Sequence, residues 1–188
     1  MVTSRALYLT LLALVGAERL FELAWSRRNA ARAFARGGRE LGRAHFPLVA
    51  GQQAAWLACC AIESGVRQFP GALGVGALLV VAAAQALRYW AVASLGDRWN
   101  VRVIVVPGDQ PVQRGPYRWV RHPNYTAVVL EMAALPLVHG CWITALVFSA
   151  ANAFVLRLRI RVEEEALGGV WAQAFEHKPR FLPGSDRA

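Results

Sequence analysis

Cysteine is scarce in this chain, and the three present, Cys59, Cys60 and Cys141, lie in or beside apolar runs with no CxxC spacing and no neighbouring histidine pattern. Such placement offers neither a disulfide framework nor a zinc site, so the cysteines read as free and buried. Lysine is scarcer still: Lys178 stands alone among 21 basic residues. The glycines and arginines of 36–45 lack a Gly-Lys-Ser/Thr ending, which excludes a phosphate loop there. Nothing repeats at a fixed period of about 20 to 50 residues, which excludes a solenoid, and no tract is low in complexity beyond its alanine richness.

What the chain has in excess is apolar residues, 56% of the total, against roughly 45 to 50% in a soluble globular protein. They are gathered into long runs instead of following a helical or strand period, and in a chain this short lipid is the burial such runs imply. Five segments can reach across or deep into a hydrocarbon core that takes about 20 helical residues: 6–24, 46–62, 69–94, 125–138 and 141–158. The expected fold is a single all-α integral membrane domain of about five transmembrane helices with a cytoplasmic cofactor site. The third segment carries only Arg88 as a charge; the fourth is short and holds Glu131 and Pro136. His139 and Gly140 alone separate the fourth from the fifth, which predicts a tight antiparallel hairpin.

A formal charge of +9 raises the question of nucleic acid. The arginines, however, fall between apolar runs, as in loops retained on the cytoplasmic side of a membrane, so no nucleic-acid partner is expected. Six basic residues lie in 26–45, five in 95–123 and six in 157–188, whereas 63–68 has only Arg67 and the N-terminus only Arg5. That alternation predicts five crossings, the N-terminus outside, with 26–45, 95–123 and the tail 159–188 in the cytoplasm. Trp25, Trp90 and Trp142 sit near run ends, where indoles favour the interface. Residues 1–17 also have the early arginine and Val15-Gly16-Ala17 ending of a signal peptide, but cleavage there would export six arginines against the same bias.

Before the fourth segment runs Gly115-Pro116-Tyr117-Arg118-Trp119-Val120-Arg121-His122-Pro123-Asn124-Tyr125. Pro123 suits the first position of a helix, where its missing N–H costs nothing. His122 then lies at the helix mouth, whose free N–H groups and positive dipole end favour an anionic group such as a carboxylate. Histidine is expensive to leave unpartnered between a charged loop and an intramembrane helix, so it reads as functional. Arg118 and Arg121 are equally explained as holding the interface. The second cluster, Arg157 to Glu165, carries the fifth helix out of the membrane. Arg159 with Glu163, and Arg161 with Glu165, are each four apart on one face; alone, such pairs stabilise a solvated helix by about a few tenths of a kcal/mol.

The first string, followed about forty residues later by arginines and Glu163-Glu164-Glu165-Ala166-Leu167, resembles the isoprenylcysteine carboxyl methyltransferases and the related phospholipid methyltransferases. The resemblance runs from about Arg102 to the end. It implies that S-adenosylmethionine is wrapped by Tyr117, His122, Pro123, Asn124 and Tyr125, with Val112 against it from the preceding loop. It places the donor-binding glutamate at Glu163 and the substrate-binding arginine, one turn earlier, at Arg159, with no metal. A register shifted by two would choose Arg161 and Glu165 and would lose the agreement at Leu167, Trp171 and Phe175. Asp109 stands where eukaryotic members carry a histidine, and Arg102 where they carry a glutamine. Glu131 receives no role.

The activity implied is O-methylation of a lipophilic, membrane-borne acceptor: a prenylcysteine-type carboxylate, or the acidic hydroxyl of an alkylpyrone, since 36–45 is similar to bacterial members that methylate such products. Phospholipid N-methylation is the second reading, and a small non-enzymatic scaffold or transporter subunit the third. Glu18, Arg19 and Glu22, in the inner half of the first helix, read either as a substrate entry or as interfacial pairs that snorkel.

Overall fold

The apolar runs are rich in leucine and alanine, the strongest helix formers, and beyond their first turns only Pro136 interrupts them. In a computed structural model that describes residues 2–43 and 45–181, they form α1 (Val2–Ala35), α2 (His45–Glu63), α3 (Ala72–Leu95), α4 (Pro123–Leu137) and α5 (Trp142–Ala174). Ala44 of the first expected loop and 182–188 of the expected tail lie outside the described residues.

Two expectations need correction. Residues 26–35 are not loop but the last turns of α1, because arginine and alanine propagate a helix well once the apolar stretch has nucleated it. The fold is also not purely helical: β1 (Arg39–Leu41) pairs antiparallel with β2 (Val103–Val105), Glu40 opposite Ile104. The β-branched Val-Ile-Val of β2 favours that ribbon, which ties the 26–45 and 95–123 segments together.

Among the described residues, two helices are long and apolar enough to cross a membrane, Ala72–Arg98 and Trp142–Gly169. α1 is diluted by Glu18, Arg19 and Glu22, and α4 has only 15 residues. The exterior is apolar nonetheless. Leu7, Leu14, Leu20 and Phe21 of α1, Leu73 and Leu79 of α3, and Leu146 and Phe154 of α5 are all 60% exposed or more, far beyond what water tolerates as one continuous surface.

Inside, Tyr8, Leu12 and Val15 of α1 meet Trp56 of α2, Val81 of α3 and Met132 and Leu135 of α4. Small residues such as Ala77, Ala84 and Ala134 let the backbones approach closely. The polar exception is an ion cluster. Arg19 Nη2 donates to both oxygens of buried Glu131, at 2.6 and 2.8 Å, and Arg19 Nη1 to Glu22 at 2.6 Å. Arg88 of α3 completes it, donating to Glu131 at 2.7 Å and lying 3.5 Å from Glu22. Gln85 Nε2 reaches Glu18 at 2.5 Å. The acids and Arg19 that suggested an entry or snorkelling pairs thus join α1, α3 and α4 internally.

Candidate active site

The C-terminal ends of α1 and α3, the N-terminal ends of α2 and α4 and the outer half of α5 meet at one end of the bundle. There the chain turns into α4 through a short 3₁₀ turn, Gly115–Arg118. Gly115 has φ 60°, and a Cβ on it would fall 1.9 Å from Ser94 Oγ of α3, so only glycine fits. The turn buries Tyr117 and sets Trp119 edge-on to Trp90, ring centroids 5.4 Å apart. His122 caps α4 and Pro123 occupies its first position. Residues 176–181 fold back over this corner: the Arg121 and His122 N–H groups donate to the carbonyls of Pro179 and Arg180 at 2.9 and 3.0 Å.

α5 supplies the opposite wall. Glu163, Leu167, Trp171 and Phe175 recur every four residues across a kink at Gly168 (φ 68°), and all four line the cavity. Trp171 lies 5.5 Å from the His122 ring and 4.8 Å from Phe175. Between the walls is a cavity of about 210 Å³.

Its inner edge is a continuous hydrogen-bond chain. The Tyr125 hydroxyl donates to Glu163 Oε2 and accepts from Arg159 Nε at 2.8 Å. Arg159 Nη2 donates to the Val101 carbonyl. The guanidinium therefore has two anchors, one on α4 and one on the loop after α3. Burial, aided by the nearby Glu163 charge, pushes the Tyr117 phenol well above its ordinary pKa, so it stays a hydrogen-bond donor.

Of the residues expected at the site, Val112, Tyr117, His122, Asn124, Tyr125, Arg159 and Glu163 all line this cavity. Pro123 does not; it is fully buried behind the wall as the first residue of α4. Arg161 and Glu165 point outward and are exposed. Asp109 and Arg102 line the cavity, the first 3.7 Å from both Arg36 and Arg98, the second 3.5 Å from Glu40.

Two features had weaker signals. The anion at the mouth of α4 belongs to the chain itself: Glu164 Oε1 lies 3.1 Å from His122 Nε2, and Arg180 holds its other oxygen at 2.8 Å. In sequence Glu164 is one of three consecutive glutamates and looks solvated. The lining by residues 103–106 was hidden because β2 is so short.

The buried carboxamide oxygen of Asn124 has no hydrogen-bond partner among the described residues. An orphaned acceptor in a cavity edged by a glutamate fits the hydroxyl and amino donors of a nucleoside-amino-acid cofactor. Four arginines, Arg98, Arg102, Arg121 and Arg159, against Asp109 and Glu163, make the lining cationic on balance.

Residues 77–169 match the profile of the isoprenylcysteine carboxyl methyltransferase (ICMT) family. Uncharacterized protein YpbQ of Bacillus subtilis is 36% identical over 158 residues, covering 84% of this chain and 94% of the relative. An uncharacterized protein of Haemophilus influenzae is 25% identical over 159 residues, covering 83% of this chain and 92% of that one.

Proposed function

Because the chain belongs to the isoprenylcysteine carboxyl methyltransferase family, whose members are membrane methyltransferases, we propose that it methylates an acidic oxygen of a lipophilic acceptor with S-adenosylmethionine. The observation that carries this reading is the shared wall on which Glu163 and Arg159 are joined through one Tyr125 hydroxyl. A donor group and an acceptor group held by those two side chains would be neighbours.

The cofactor would be held by Glu163 and Asn124, with Tyr117, His122, Tyr125 and Val112 around it and Trp171 and Phe175 as apolar facing; bound there it supplies a methyl group activated on a sulfonium. The rest falls to the protein. A carboxylate acceptor, with a reference pKa near 4, is ionised at neutral pH and asks for no general base. Arg159 pairs with it through its remaining N–H groups, keeping its charge at any working pH. Enclosure by the 176–181 segment and the α5 aromatics keeps water from competing and supplies the proximity term. The acceptor's chain would remain among lipids while its head meets Arg159.

The arginine lining favours an anionic acceptor over the amine that phospholipid N-methylation requires. The test is calorimetry of purified protein with S-adenosylmethionine, followed by methylation assays on an S-farnesylcysteine derivative, a long-chain alkylpyrone and phosphatidylethanolamine. Binding is expected, with turnover on one of the first two. No binding overturns the enzyme reading; turnover on phosphatidylethanolamine alone replaces it with the N-methyltransferase.

A further inference from the structure

Ser26 and Asn29 of α1 are polar residues only 2% and 1% exposed, and their side-chain bonds all run to one short loop. The Ser26 hydroxyl donates to Asn100 Oδ1 at 2.6 Å and accepts from the Val101 N–H at 3.1 Å, while Asn100 Nδ2 returns a bond to the Ser26 carbonyl at 3.2 Å. Asn29 Nδ2 donates to the carbonyls of Trp99 and Gly96, at 2.7 and 3.2 Å. Trp25 packs on Trp99 with ring centroids 5.7 Å apart.

Packing alone does not ask for this. α1 is already fastened to α3 and α4 by the ion cluster at Glu131. What the extra bonds fix is the backbone of residues 99–101. Val101, its N–H taken by Ser26, presents its carbonyl to Arg159 Nη2. With Tyr125 on Nε, two of the three guanidinium nitrogens are tied, and Nη1 has no hydrogen-bond partner among the described residues. The guanidinium is thereby held with one edge free on the cavity wall.

We propose that Ser26 and Asn29 are positioning residues for methyl transfer: they lock residues 99–101 so that the Val101 carbonyl aims the free edge of Arg159 at the acceptor. This rests on the reading of Arg159 as the acceptor's partner. It makes α1, which lies outside the 77–169 match, part of the working site. A freed Arg159 retains its charge but not its aim, and misplacement by about 1 Å costs up to about a hundredfold in rate. Among the described residues, His122, Asn124 and Glu163 take no hydrogen bond from α1, so donor binding should be spared.

The experiment uses the full chain in lipid nanodiscs, with Ser26→Ala, Asn29→Leu, Ser26→Thr and Arg159→Lys, assayed on the S-farnesylcysteine derivative and the alkylpyrone. On whichever probe the unaltered protein methylates, Ser26→Ala and Asn29→Leu are expected to lower acceptor kcat/KM by about tenfold or more. Ser26→Thr, which keeps the hydroxyl, should recover, and the Kd for S-adenosylmethionine should stay within about twofold throughout. If Arg159→Lys is impaired while Ser26→Ala and Asn29→Leu are normal, the latch is overturned and the role of Arg159 stands. Parallel loss of donor affinity in the latch variants also overturns it, since general loosening then explains the loss. Normal kinetics in Arg159→Lys, or methylation of neither probe, overturns the acceptor reading and the latch with it. Should Asn29→Leu fail to fold, Ser26→Ala decides, because it removes a single hydroxyl.

Discussion

Arg159 Nε donates to the Tyr125 hydroxyl at 2.8 Å, and that same hydroxyl donates onward to Glu163, so the two charged groups on one face of α5 are separated by a neutral side chain from α4. Tyr125→Phe keeps the ring, which stacks on His122 at 5.2 Å, and removes only the relay. Hydrogen bonds to charged groups are worth about 1.5–3 kcal/mol. Both S-adenosylmethionine affinity by calorimetry and acceptor turnover should therefore fall in this one variant. Loss of one without the other would show that the relay does not couple the two.

The register of the α5 residues makes a second prediction. Arg159 faces the cavity and Arg161 is exposed. Arg159→Lys keeps the charge but loses the planar fork, so methylation should drop by about tenfold or more with donor binding retained. Arg161→Lys should leave both unchanged. The reverse pattern would move the acceptor site to Arg161 and the donor glutamate to Glu165.

Glu163→Ala and His122→Ala should each weaken S-adenosylmethionine binding, the first by removing the carboxylate bonded to Tyr125, the second by removing the ring that packs on Tyr125 and Trp171. The expected loss is about 1 to 3 kcal/mol where a charged-group hydrogen bond goes, read by the same titration. Unchanged affinity in both variants would remove Glu163 and His122 from the donor site.

Glu131 is 3% exposed and takes bonds from both Arg19 and Arg88. Removing one member of a buried ion cluster strands the others, at a cost of about 3–5 kcal/mol. Glu131→Leu should lower the thermal midpoint in detergent far more than Asp97→Ala, whose side-chain partner Arg32 is exposed along with it. Equal midpoints would mean that water reaches the cluster.

Topology is tested by single cysteines at Arg39, His177 and Val66 in a background without the native three. Membrane-impermeant maleimide should reach Val66→Cys from outside and the other two only from the cytoplasm. Arg39 and His177 reporting opposite sides would end the five-crossing reading.

The parts legible in sequence were those with local causes. Pro123 marked the start of α4, and His139 and Gly140 marked its turn into α5. The parts that were not legible depend on distant partners or on very short elements. Arginine signals a loop by charge while favouring a helix by propensity, which hid the end of α1. Three-residue strands are too brief for an alternation to register. Nothing near Glu131 in sequence discloses that its partners are 112 and 43 residues earlier.

That separation has a consequence during synthesis. At about 5–20 residues per second, Arg19 is made on the order of ten seconds before Glu131, and through that interval its guanidinium lacks its partner on α4. Its companions in the meantime are Glu18, made just before it and 3.6 Å away in the finished bundle, and Glu22, one turn along and bonded to it at 2.6 Å. Both acids precede the fourth helix, so α1 is made with its own counter-charges, two carboxylates to one guanidinium between Glu18 and Glu22.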